Sequence, residues 1–149
     1  MKAKNFYIPD GIEYYMPSDA VKLEKIKSKI LKIYAKYNYT YVIPPIFDNL
    51  DNLLNLKSTD LDSETALVLD KRTSKEIGIR ADITPQISKI DYQMTKGSGN
   101  SRFSYMGDIL RLSPGPFDRI NPYQTGAEYF GKLNNSIDIE IIKLMIDLV

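Results

Sequence analysis

Two strand-like runs, residues 103–112 and 123–130, stand on either side of a loop punctuated by Ser113-Pro114-Gly115-Pro116 and Asn121-Pro122. Proline and glycine at this density break regular structure, and strands joined by so short a connection return antiparallel. A second pair, residues 65–69 and 77–80, flanks the charged tip Asp70-Lys71-Arg72-Thr73-Ser74-Lys75-Glu76 and reads as another hairpin. A chain built on hairpins cannot be an alternating parallel α/β fold. It needs helices on a face of the sheet to bury its apolar side.

Those helices are legible from the spacing of apolar residues. Leu23, Ile26, Ile30, Ile33, Tyr34 and Tyr37 recur at helical intervals, with Ser18 placed to cap the helix start. The lysines between them read as the solvated face of an amphipathic helix rather than a nucleic-acid surface, because the chain carries a net charge of only +1. Residues 39–43 are aromatic and β-branched, hence a strand, and Pro44-Pro45 ends regular pairing there. Leu50, Leu53 and Leu54 fit a short helix or turn. Beyond Thr84-Pro85, Ile87, Ile90 and Met94 share a helical face. Gly97-Ser98-Gly99 lacks the strand-to-helix setting of a phosphate cradle and reads as a plain loop. Asn134-Asn135-Ser136 caps a last helix whose apolar face carries Ile137, Ile141, Leu144, Met145 and Leu148. The sum is an α+β chain with a largely antiparallel sheet, one domain's worth at 149 residues.

Composition narrows the chemistry. The chain has no cysteine and no histidine. Disulfides, thiolate and imidazole metal sites, and Ser-His or Cys-His nucleophile pairs are excluded together. Acid–base work would fall to Asp, Glu, Lys or Tyr. No apolar run approaches membrane-spanning length, and Met1-Lys2-Ala3-Lys4-Asn5 is followed by no apolar leader core. The expected setting is cytoplasmic, with no membrane and no nucleic-acid partner. No phosphate-binding, dinucleotide or serine-hydrolase motif is present.

What remains is polar residues at strand ends. Gly78-Ile79-Arg80-Ala81-Asp82-Ile83-Thr84-Pro85-Gln86 ends a strand in an arginine, an acid and a hydroxyl. In Gln124-Thr125-Gly126-Ala127-Glu128, the glutamine and glutamate are four apart and face one side of a strand. Asp82, Thr84, Gln124 and Glu128 can therefore converge on one amine-bearing ligand, while Arg111 supplies a fork for a carboxylate or phosphate. A cationic amine, a carboxylate and a polar ring suit this set, as in a free amino acid such as histidine. The alternative is a local ion pair between Arg80 and Asp82, with Arg111 paired to a neighbouring acid.

At these residues a family resemblance enters. Ile8-Pro9-Asp10-Gly11-Ile12-Glu13 with Met16-Pro17, Tyr41-Val42-Ile43-Pro44-Pro45, Arg80-Ala81-Asp82-Ile83-Thr84-Pro85-Gln86, Tyr105-Met106-Gly107-Asp108-Ile109-Leu110-Arg111 and Gln124-Thr125-Gly126-Ala127-Glu128-Tyr129-Phe130-Gly131 fall in the family's order across nearly the whole chain. The chain resembles the regulatory subunits of ATP phosphoribosyltransferase, catalytically inactive relatives of histidyl-tRNA synthetase. The resemblance implies a class II synthetase-like antiparallel sheet flanked by helices. It places Pro45 in the first motif, at a dimer interface, and Arg111 as the arginine of the second motif. Two residues beyond that arginine the synthetase has a glutamate that helps hold ATP; here the residue is Ser113, so adenylation is not expected. The synthetase signature Arg-Pro-Glu-Gly-Thr is Arg80-Ala81-Asp82-Ile83-Thr84 here, with the acid and hydroxyl kept. Asp82, Thr84 and Gln124 are implied to hold a histidine's α-amino group and Glu128 to face its imidazole, with Arg111 in the same site.

The implied role is a non-catalytic regulatory subunit. It would partner the short-form catalytic subunit of ATP phosphoribosyltransferase, a glycosyltransferase of histidine biosynthesis, and relay feedback by L-histidine as a homodimer within a hetero-oligomer. No cofactor or metal is implied. The basic hairpin tip at Lys71-Arg72 is a candidate contact on charge alone. The family runs well past this length, so the resemblance implies a single C-terminally incomplete domain over residues 1–149, without the third motif's arginine and the histidine-specific loop. Two other readings stay open: a histidyl-tRNA synthetase catalytic-core fragment, and a dimerisation or interaction module with a decayed site.

Overall fold

The computed structural model describes residues 7–54, 64–112, 119–132 and 134–149. Residues 1–5, Ser113 and the Ser113-Pro114-Gly115-Pro116 turn lie outside the described residues. Helix α1 spans Pro17–Lys36, strand β1 Thr40–Val42, strand β2 Phe47–Asp48 and the short helix α2 Leu50–Leu53. The β3 and β4 hairpin, Ala66–Asp70 and Lys75–Ile79, follows. Helix α3 is Thr84–Thr95, β5 Ser101–Asp108, β6 Tyr123–Phe130 and helix α4 Asn135–Leu148.

Helix α1 starts two residues before the place its sequence indicates. Pro17 takes the first helical position, where a missing N–H costs nothing, and Met16 becomes the cap residue; Ser18 lies inside the first turn. Helix α4 matches its sequence: the Asn134 side chain accepts from Ser136 N at 3.0 Å and Ile137 N at 3.1 Å. Replacing Asn134 with alanine should cost about 1 kcal/mol, read as a lower urea midpoint with an unchanged slope.

Among the described residues the strands form two three-stranded sheets, β1-β5-β6 and β2-β4-β3. Both hairpins are antiparallel, as expected. The β1–β5 pair is parallel, with Thr40 opposite Phe103. Local turn signals cannot reveal that pairing, because β1 and β5 are separated by the whole second sheet and α3. A backbone bond links the two sheets, Leu110 N donating to Arg80 O at 2.9 Å, while Arg80 N donating to Ile46 O at 3.1 Å extends the β2–β4 ladder by one position. Regular pairing in β5 stops at Asp108, short of the expected residue 112, as the chain switches to the single bond at Leu110 and to Arg111 N donating to Ile120 O.

Strand β5 is buried on both faces, and its alternation separates two cores. Phe103 and Tyr105 pack with Ile83, Ile87 and Ile109 beneath α3. Met106 packs on the other face with Tyr34, Tyr39 and Leu144 of the α1 and α4 layer. Arg102 grips Glu140 of α4 bidentately at 2.9 and 3.1 Å. Met94 and Met145, which share helical faces with buried neighbours, are 69% and 62% exposed. Met94 lies in the last turn of α3, and Met145 is turned about 100° from Leu144 while Leu148 beyond it keeps to the core side.

Candidate functional site

The β5–β6 register explains how a polar cluster forms on one sheet face. Phe103 lies opposite Glu128, Tyr105 opposite Gly126, and Gly107 opposite Gln124. Paired residues project to the same face, so large and absent side chains alternate. At Gly126 a Cβ would lie 2.2 Å from the Tyr105 hydroxyl, so only glycine lets that ring lie across β6. At Gly107 a Cβ would lie 2.1 Å from Arg80 Nη2, so glycine also opens the slot that the guanidinium fills.

Into this face projects the segment between β4 and α3. Gln124 bridges it: its Nε2 donates to Asp82 Oδ1 at 2.7 Å and its Oε1 accepts from Ile83 N at 3.0 Å. Asp82 Oδ1 also accepts from Thr84 N at 3.1 Å. The Thr84 hydroxyl donates to Glu128 Oε1 at 3.1 Å and sits 3.0 Å from the Tyr105 hydroxyl, which itself reaches Glu128 Oε1 at 3.3 Å. Asp82, Thr84, Gln124 and Glu128 are thus brought together in one half-buried network. Arg111 borders it, with Nε donating to the Ala81 carbonyl at 3.2 Å. Pro45 does not join it: its carbonyl accepts from Arg80 and Gln86, and its ring is exposed beside Ile43, Ile46 and Phe47.

Arg80 makes no ion pair with Asp82. It is 4% exposed, and it donates through Nε to Asp108 O at 2.9 Å and through Nη1 to Pro44 O at 2.8 Å and Pro45 O at 3.3 Å. It is a clamp between the sheets rather than a ligand group.

Tyr105 was not singled out from the sequence. The available signal was the glycine opposite it, which is recognisable only once the hairpin register is known.

The electrostatics favour a cation. Burial pushes the Glu128 carboxyl above its ordinary range; hydrogen bonds from Thr84 and Tyr105 oppose this, and the Asp82 charge adds to it. Burial also pushes the Tyr105 phenol up, so it remains a neutral donor. Neither Asp82 nor Glu128 forms an ion pair among the described residues. Two carboxylates in one half-buried network, without a basic side chain between them, present the negative charge that an ammonium or another cationic group complements. Among the described residues no group of three or more acidic, histidine or cysteine side chains is arranged to hold a metal.

A cavity of about 710 Å³ opens elsewhere, between Pro45, Asp48, Gln86 and Lys89. Asp48 is already bonded there to Asn52 and Gln86. The chemistry therefore favours the carboxylate pair, which combines charge without an ion-pair partner among the described residues with convergent donors, over this hollow.

Comparison with known proteins agrees with this architecture. The Hahella chejuensis ATP phosphoribosyltransferase regulatory subunit is 39% identical over 141 residues, covering 94% of this chain and 35% of its own length. The Methylobacillus flagellatus regulatory subunit is 39% identical over 144 residues, covering 96% and 37%. The chain therefore spans little more than a third of these relatives. Among solved structures, an ATP phosphoribosyltransferase regulatory subunit/histidyl-tRNA synthetase from Bacillus halodurans superposes with a TM-score of 0.81 at 21% identity, over 99% of this chain and 38% of that one. Apo histidyl-tRNA synthetase from S. aureus gives 0.76 at 21% identity, over 95% and 33%. These likenesses show a class II synthetase-type fold. Residues 11–149 match the histidyl-tRNA synthetase family, and the chain belongs to it.

Proposed function

We propose that this chain is the synthetase-like portion of a regulatory subunit of ATP phosphoribosyltransferase, binding L-histidine and performing no chemistry alone. The observation that carries the reading is the Asp82–Glu128 carboxylate pair, tied together through Gln124, Thr84 and Tyr105 and lacking any basic partner among the described residues. The names of the relatives at 39% identity support the regulatory role. Asp82, Thr84 and Gln124 take the α-amino group, Glu128 takes the imidazole, and Arg111 lies at the rim for a carboxylate. Pro45 and its apolar neighbours form a homodimer surface, and the assembly works in the cytoplasm with the short-form catalytic subunit.

Such a subunit transmits histidine binding only if the ligand favours one assembly state by differential contacts. Mixing the full-length protein with the catalytic subunit should raise phosphoribosyl transfer, and histidine should lower it again. Turnover unchanged by mixing would overturn the proposal. Histidine-dependent ATP–pyrophosphate exchange by the full-length protein would assign it to the synthetases instead.

A further inference from the structure

The outer face of α1 is not used by the fold or by the carboxylate site. Lys22, Lys25, Lys29, Lys32 and Lys36 recur at alternating intervals of three and four, and all are exposed. At the pitch of an α-helix they fall within an arc of about 80° and run for roughly 21 Å. No acidic residue interrupts the stripe. Lys22 pairs with Asp19 and Lys36 with Asp147, both at the ends; Lys25, Lys29 and Lys32 make no ion pair among the described residues.

Folding alone does not call for this pattern. Like charges three and four residues apart destabilise a helix, and a merely solvated face is better served by alternating signs. The helix carries six lysines against Asp19 and Glu24, so the remainder of a chain with net charge +1 is acidic. The charge is segregated, not spread.

Beside the stripe, Val21, Ser28 and Ala35 recur every seven residues. Two shallow hollows, of about 440 and 530 Å³, lie along this flank where Ser28 and Ala35 are small, and Val21 is 56% exposed; Glu24 lines both, its charge met by Lys27 at 2.8 Å. A cationic ridge beside a small-residue groove fits an amphipathic helix with acidic flanks, as in helix-in-groove recognition. Nucleic-acid phosphates would use the lysines but not the groove.

We propose that this face of α1 docks an acidic helical surface of the ATP phosphoribosyltransferase catalytic subunit. The assignment rests on the regulatory reading above, and it prefers α1 to the β3–β4 tip, where Arg72 folds back onto Asp70 at 3.3 Å.

The test is titration of the full-length protein with the catalytic subunit at low and high salt. It compares wild type, a Lys25→Glu/Lys29→Glu/Lys32→Glu variant and the matching triple glutamine variant. The substituted side chains are exposed, and helical circular dichroism checks that each variant folds; if the glutamate variant does not, the glutamine variant decides. The expected result is association that weakens with salt, a loss of at least about 30-fold with glutamate and about tenfold with glutamine. Affinities within about twofold across all three proteins would overturn the assignment while leaving the regulatory reading intact. A wild-type protein that never associates would overturn both. Duplex RNA binding lost in the glutamate variant, with affinity for the catalytic subunit unchanged, would overturn it in favour of a nucleic-acid surface.

Discussion

Replacing Arg80 with alanine should lower stability by about 3–5 kcal/mol through lost hydrogen bonds and a void, enough to drop the melting temperature by roughly 10 °C or more. The side chain is 4% exposed, and its guanidinium satisfies carbonyls from three residues, Pro44, Pro45 and Asp108. Alanine strips the Pro44 and Asp108 carbonyls of this donor, leaves the Pro45 carbonyl with Gln86 alone, and opens a void over Gly107, where the slot exists only because no Cβ is present. Each buried group stripped of its partner costs about 1–3 kcal/mol. The same residue's carbonyl accepts from Leu110 N, the backbone bond that links the two sheets, and its N–H extends the β2–β4 pairing to Ile46. Lysine should recover less than half of the loss, because one ammonium cannot reproduce the fork. Urea denaturation checks this, and a change below about 1 kcal/mol would show that the clamp is dispensable.

The second large effect is a trade between stability and binding at Glu128. Its carboxyl is pushed above the ordinary range by burial and by Asp82. The sign follows from linkage. A raised folded-state value favours the protonated form in the native protein. This contribution is fully present below the ordinary glutamate range and is lost as pH rises through the elevated value. At neutral pH the ionised carboxylate therefore weighs against the fold. Glu128→Gln removes that charge while its amide oxygen can keep both bonds to Thr84 and Tyr105, which meet a single carboxylate oxygen. The variant should melt about 3 °C higher at neutral pH, the shift that ~1 kcal/mol produces at this size, and the gap should close in acid. A cost in stability retained at a strand end is what a ligand-binding group shows when its ligand is away.

The readability of this chain from sequence follows the range of the interactions. The β6 strand, the β3–β4 hairpin and the Asn134 cap rest on local turn and capping chemistry, and they stand within a residue or two of where that chemistry places them. The parallel β1–β5 pairing depends on residues about sixty apart and leaves no local mark. The side of the site carried by Gln124 and Glu128 was legible, because residues four apart on a strand share a face; Asp82 and Thr84 meet them from the turn between β4 and α3, whose path no strand period fixes. The role of Arg80 was not: an arginine two residues from an acid looks like an ion pair until Gly107 and the Pro44 carbonyl appear beside it. Tyr105 was hidden for the same reason, since its reach across Gly126 exists only in the register of the folded hairpin.

Histidine binding at the carboxylate pair is read by calorimetric titration of L-histidine into the full-length protein and its Glu128→Gln variant at neutral pH. Saturable binding to the wild type is expected, with an affinity at least about tenfold lower in the variant, because a charge-assisted hydrogen bond of about 1.5–3 kcal/mol is lost. No binding by the wild type, or equal affinities for the two proteins, would contradict it.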